Sequence, residues 1–265
     1  MKYIQSRENP FYKELLKLTG SARSRNKAGQ TLLDGAHLLS AYLDAGLKPL
    51  HILLAGAALQ DDEIAALLAR VEDVPLTQLD DRLFAELSEL KTTTGVLVLI
   101  ALPQPSVTVC RFALLLEDIQ DPGNLGSMLR SAAAAGCDAV FLSSGCTDAW
   151  SPKVLRAAMG GHFRLNIHER QGLTAVAEKF NGMRLATTLQ ATLSLYECDL
   201  TGNVLFMIGN EGAGLSNELL SHATHSFTIP MPGGIESLNA ASAAAICLFE
   251  TVRQRLALTT FRIDR

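Results

Sequence analysis

The stretch Ile229–Ala243, IPMPGGIESLNAASA, joins a short apolar strand to a long helix, and its reading sets the architecture of everything before it. Pro230 and Pro232 each fix φ and remove a backbone donor, and Gly233–Gly234 opens conformations closed to other residues. Ser237 and Asn239 then stand at the mouth of a helix running through AASAAAICLFETVRQR. The first N–H groups of a helix have no partner inside it, so such an entrance draws anions and carboxylates. Local chemistry leaves two readings open: a ligand cradle, or a proline-ended strand followed by an N-capped helix.

Upstream, the same strand-to-helix step recurs. Strands are expected at Phe112–Leu116, Ala139–Leu142, Leu165–Ile167, Arg184–Thr188, Val204–Ile208 and Ser226–Ile229. Helices are expected at Leu125–Ala135, closed by Gly136, and at Lys153–Met159, Leu173–Phe180 and Ser216–Leu220. Nearly all-apolar strands alternating with helices indicate an α/β fold with a mostly parallel sheet covered on both faces. Ligands in such sheets bind at the carboxyl ends of the strands. Residues 1–99 also alternate, with a helix after Pro10, a strand at Thr31–Leu33, a helix at Ala36–Leu43, a strand at His51–Leu54, a helix at Asp62–Ala69 and a strand at Val96–Ala101. LPQPSVT (Leu102–Thr108) reads as a linker, so domains are expected at 1–101 and 109–265.

Composition narrows the function classes. At 265 residues, 48% hydrophobic and 19% charged, the chain is an ordinary globular protein. MKYIQSRENP has no apolar signal core, and no apolar run is long enough to span a bilayer. Five widely spaced cysteines without a CxxC argue against disulfides and zinc, and for a cytoplasmic location. The net charge of −4 is unevenly laid out. Lys2, Arg7, Lys13, Lys17, Arg23, Arg25 and Lys27 crowd the start, whereas Asp61–Glu89 is strongly acidic. The basic stripe is either a phosphate grip or a solvated helix face. Trp150–Arg164, with Lys153, Arg156, His162 and Arg164, carries the same two readings.

Two further loops carry chemistry. In Asp121–Arg130, DPGNLGSMLR, Asn124 is placed to cap a helix and Arg130 follows about a turn and a half later. Gly209–Leu215, GNEGAGL, follows an apolar strand but lacks the third glycine of a dinucleotide fingerprint, which leaves a nicotinamide-dependent oxidoreductase as a weak alternative. Glu211 sits in a glycine-flanked turn, as a positioned carboxylate would.

Taken in order, these loops resemble the three motifs of the SpoU (TrmH-like) branch of the SPOUT superfamily, S-adenosylmethionine-dependent RNA ribose 2′-O-methyltransferases. Motif 1 is carried by Asn124, Gly126, Arg130 and Ser131; motif 2 by Gly209, Asn210, Glu211, Gly214 and Leu215; motif 3 by Ile229, Pro230, Met231, Gly233, Ser237, Leu238, Asn239 and Ala243. The N-terminal part is similar to the family's substrate-binding domain through SRENPFYKELLKL, TLLDGAHLL and TTGVLVLI, with Asp34–Gly35 where a glutamate–glycine pair is commoner. The resemblance implies a small N-terminal α/β sandwich like certain ribosomal proteins, then a C-terminal domain tied in a trefoil knot and dimerising as a homodimer.

It also implies site roles. Asn124, Arg130, Glu211, Ser237 and Asn239 would be catalytic, with Arg130 activating the 2′-hydroxyl either as the base itself or by stabilising the alkoxide and gripping phosphate, and Glu211 fixing Arg130 or its own loop. S-adenosylmethionine would lie against Leu189, Gln190, Gly209, Asn210, Gly214, Ile229, Met231 and Leu238. RNA, ribosomal or transfer, would meet Arg23, Arg25, Lys27, Lys153, Arg156 and Arg164. A catalytically inactive RNA-binding protein of the same fold is the second reading.

Overall fold

The strands and helices run in the order β1 (Lys2–Ile4), α1 (Pro10–Gly20), α2 (Ala22–Ala28), β2 (Gln30–Asp34), α3 (Ala36–Asp44), β3 (His51–Leu54), α4 (Asp62–Leu68), β4 (Leu76–Leu79), α5 (Asp81–Leu87), β5 (Val96–Ala101), β6 (Phe112–Leu116), α6 (Pro122–Ala135), β7 (Ala139–Leu142), α7 (Pro152–Ala158), β8 (Asn166–His168), α8 (Leu173–Lys179), β9 (Met183–Thr187), β10 (Val204–Ile208), α9 (Asn217–Ser221), β11 (His225–Phe227) and α10 (Ala240–Ile263). This computed structural model describes residues 1–71, 73–90, 94–106 and 109–263, without the side chains of 259–263. Thr93 of the expected TTGVLVLI segment, Val107 and Thr108 of the linker, and Glu72 of the acidic tract lie outside the described residues. Contacts divide the chain into two units, Met1–Gln104 with Asp148–Phe163, and Pro105–Thr147 with Arg164–Arg265.

The first unit is built on a five-stranded mixed sheet in the order β1-β4-β3-β5-β2, with β5 antiparallel to both its neighbours. Asn9 starts α1 by accepting the N–H groups of Phe11 and Tyr12 ahead of Pro10, and the helix buries Tyr12, Leu15 and Leu18 in a core with Leu32, Phe84 and Leu97. β1, α2, β4 and α5 go beyond the sequence reading, because elements of three to seven residues give too short a pattern to register. The acidic tract has a local purpose: Asp61 and Asp80 cap α4 and α5, and Asp62, Glu63 and Asp81 occupy their first turns.

The expected 109–265 domain is interrupted here, because the segment Asp148–Phe163, including α7, packs in the first unit. Arg25 donates through Nε and Nη2 to Asp148, and Thr31 Oγ1 donates to the carbonyl of Trp150 at 3.0 Å. Tyr42 packs edge-on to Phe163, and a Cβ on Gly160, whose φ is +87°, would lie 2.5 Å from that of Ala41.

The second unit is a six-stranded, all-parallel sheet in the order β11-β9-β10-β6-β7-β8. FALLL of β6 and VLFMI of β10 are buried at every position, as strands covered on both faces must be. The chain runs outward from β6 to β7 and β8 on one side, while β10, β9 and β11 lie on the other. The crevice at the carboxyl ends of β6 and β10 is therefore a topological switch point, where α/β sheets bind ligands. α10 packs against α6, and its Ala241, Ala244, Cys247 and Leu248 are buried.

Candidate active site

The site grows from the end of β10. Gly209 has no room for a side chain, since a Cβ would lie 2.2 Å from the carbonyl carbon and oxygen of Gly214. This close approach lets Asn210 and Gly214 exchange both backbone hydrogen bonds, at 2.9 and 3.0 Å. The glycine at 209 is thus required by the loop folding back on itself. Asn210 Oδ1 accepts the N–H groups of Gly212 and Ala213, and its Nδ2 donates to the carbonyl of Asp118. At the far end, Ser216 donates its N–H and its Oγ to the two carboxylate oxygens of Glu117, each at 2.7 Å. Glu117 is absent from the expected site; its only sequence signal is an acid directly after a wholly apolar strand.

The first and third loops meet the second through a chain of amides. Asn239 Oδ1 accepts the N–H groups of Ala241 and Ser242 at the start of α10. Its Nδ2 therefore faces away and donates to Asn124 Oδ1 at 2.8 Å. Asn124 Nδ2 in turn donates to Glu211 Oε1 at 2.9 Å. Two expectations change here. Asp121, not Asn124, caps α6, accepting the N–H of Asn124 at 2.7 Å, which starts the helix at Pro122 and frees the Asn124 side chain. The hydrogen bond of Glu211 is to Asn124, and none to Arg130 is formed.

All three loops line one cavity of about 820 Å³. Asn124, Glu211, Ser237 and Asn239 contribute to its wall, as do Leu189, Gln190, Gly209, Asn210, Gly214, Ile229, Met231 and Leu238. Thr187, Thr188, Thr228 and Phe227 complete it from β9, β11 and the residues that follow them. Arg130 is exposed on α6 and is not part of that wall. Six residues along a helix from Asn124 place it about 9 Å further down the axis and on another face.

The expected RNA contacts divide. Arg23, Lys27, Lys153, Arg156 and Arg164 are exposed, and Arg156 also donates to the carbonyl of Glu89 at 3.5 Å. Arg25 is a correction: it is 4% exposed, and its guanidinium is committed to Asp148 and to the carbonyls of Leu18 and Thr19. His162 is likewise internal, its ring centred 4.9 Å from that of Trp150 and tilted 51° to it, with Nε2 on the carbonyl of Ala149. Burial holds its pKa down at about 4. Arg7 and Lys13 are paired with Glu86 and Glu8, leaving Lys2, Lys17, Arg23 and Lys27 as the unpaired cations of the stripe among the described residues.

A model of the SpoU rRNA methylase family matches residues 111–249, and a model of the MRM3-like substrate-binding domain matches residues 9–98. An uncharacterized tRNA/rRNA methyltransferase of Synechocystis is 35% identical, over 97% of this chain and 96% of its own. The 23S rRNA (guanosine(2553)-2′-O)-methyltransferase RlmP of Bacillus subtilis is 33% identical, over 94% and 98%. The SpoU methyltransferase AviRb of Streptomyces viridochromogenes, solved in complex with the cofactor AdoMet, superposes with a TM-score of 0.83 at 28% identity, covering 94% of this chain and 99% of that one. This chain belongs to the SpoU rRNA methylase family. It is an RNA 2′-O-methyltransferase that uses S-adenosylmethionine.

Proposed function

We propose that the enzyme methylates a ribose 2′-hydroxyl of large-subunit ribosomal RNA, with S-adenosylmethionine held in the cavity of the second unit. The observation that carries this reading is the convergence of three loops, distant in sequence, on one cavity at the carboxyl ends of the parallel strands β9, β10 and β11. Its volume suits a cofactor of this size, and its wall alternates backbone polar groups with the apolar side chains of Ile208, Leu215, Ile229 and Leu238. Its one ionisable side chain, Glu211, is a carboxylate, which complements a cationic sulfonium. The cofactor supplies the activated methyl group; Gly209, Asn210, Gly214, Ile229, Met231 and Leu238, with Leu189 and Gln190, would hold it. Ser237, Asn239 and Asn124 would orient the ribose by neutral hydrogen bonds. Arg130, exposed and without a partner among the described residues, suits a phosphate or a developing alkoxide presented from outside the cavity.

RNA would be gripped through Arg23 and Lys27 and through Lys153, Arg156 and Arg164. The ribosomal-protein-like character of the first unit, the trefoil knot of the second, a cytoplasmic location and a homodimer belong to the same proposal. α10 leaves Phe249 and Leu256 exposed one heptad apart, 48% and 62%, which favours them as the self-association face. The test is to map 2′-O-methyl groups in rRNA from cells with and without the gene, and to restore the missing one with purified enzyme and labelled S-adenosylmethionine. Unchanged rRNA maps would refute the substrate assignment.

A further inference from the structure

The reaction requires a group to take the proton of the attacking 2′-hydroxyl, and the cavity wall narrows the choice. Among the 24 residues lining the cavity, Glu211 is the one with an ionisable side chain. Arg130 lies off the wall, and a guanidinium stays protonated and has no lone pair to offer. The amide chain fixes what Glu211 presents. Two backbone N–H groups of α10 set the orientation of Asn239, Asn239 sets that of Asn124, and Asn124 directs an N–H at Glu211 Oε1. An N–H can be met only by an acceptor, so the chain ends on a carboxylate oxygen with lone pairs, and Oε2 is left without a partner among the described residues.

We propose that Glu211 is the proton acceptor of the methyl transfer, acting through Oε2, with the Asn239–Asn124 pair as its positioning groups. This rests on the proposed function above. As the ribose oxygen forms its bond to the methyl carbon, its proton passes to Glu211 Oε2. The carbon–sulfur bond breaks with its electron pair kept by sulfur, giving the neutral thioether of S-adenosylhomocysteine. Glu211 then returns the proton to solvent. Arg130 keeps an electrostatic part in this scheme, on the phosphate or the oxygen as charge develops.

The test compares wild type with Glu211→Gln and Glu211→Ala as full-length proteins. The probe is large-subunit rRNA from a strain lacking the gene, with S-adenosylmethionine labelled in the methyl group. Glutamine keeps an acceptor for Asn124, so the loop stays in place while the base is lost. Single-turnover transfer by E211Q should fall about 100- to 10,000-fold, with S-adenosylhomocysteine affinity by calorimetry within about threefold of wild type. In E211A the residual rate should climb about tenfold per pH unit, as hydroxide replaces the missing base. E211Q retaining more than about a third of the wild-type rate, or losing cofactor affinity in step with rate, would overturn the assignment. Wild type that leaves this RNA unmethylated would instead refute the function on which the assignment rests.

Discussion

Arg25→Ala should destabilise the first unit, whereas replacing its neighbours should weaken only RNA binding. Arg25 is 4% exposed, and its side chain is bonded to Asp148 and to two backbone carbonyls. Removing the guanidinium leaves a carboxylate 15% exposed without its cation, and strands the carbonyls of Leu18 and Thr19. Breaking one side of a buried pair costs about 3–5 kcal/mol. In a unit of this size each kcal/mol moves Tm by about 4 °C, so the fall is on the order of 10–20 °C. Asp148→Asn should reproduce much of it, because the pair fails from either side. Arg23 and Lys27 are exposed and without ion pairs among the described residues, so Arg23→Ala with Lys27→Ala should leave Tm unchanged. If both touch phosphate, the double variant should flatten the slope of log affinity against log salt by roughly two. The assays are thermal denaturation by calorimetry and an rRNA-fragment titration across salt concentration. An Arg25→Ala protein that melts with wild type and loses salt dependence would refute the structural role and return Arg25 to the RNA surface.

Gly209→Ala should prevent the 209–216 loop from closing, because the added carbon would meet the Gly214 carbonyl at 2.2 Å; S-adenosylhomocysteine affinity by calorimetry should fall more than tenfold in a folded protein, about 1.4 kcal/mol, and unchanged affinity would show that loop closure is not needed. His162 gives the first unit an acid limit. Its folded pKa, about 4, lies below the unfolded value of about 6.5, so stability should be full above pH 6.5 and decline toward pH 4. The loss is of order 3 kcal/mol in urea denaturation, since protonation would place a charge on a buried Nδ1 with no partner. His162→Gln should flatten that window, and an undiminished acid slope would assign it to other groups.

The strands of the parallel sheet were legible because burial on both faces writes itself as an unbroken apolar run, as in FALLL and VLFMI. Phe112–Leu116, Ala139–Leu142 and Val204–Ile208 fall on the residues expected of them. The loops were legible as glycine, proline and asparagine at strand ends. Partnerships across the chain were not. Nothing local says that Asn124 finds Glu211 87 positions later and Asn239 115 positions later, or that Glu117 holds Ser216 across 99. The three cations of ARSRNK look alike in sequence; only the fold shows that the middle one turns inward to Asp148, while the stripe on either side stays in water. The resemblance places Gly209 against the cofactor, but what excludes a side chain there is the chain's own backbone at Gly214.

The chain leaves the first unit after Gln104 and re-enters it at Asp148, and this has a consequence for synthesis on the ribosome. When β5 emerges, β2 has its hydrogen-bonded partner, but Arg25 has no counter-charge and the Thr31 hydroxyl no carbonyl to donate to. Both must wait while β6, α6 and β7 are made, about 44 residues later, or some 2–9 s at 5–20 residues per second. During that interval the N-terminal unit is an unfinished intermediate, and its last piece arrives from within the sequence of the catalytic half.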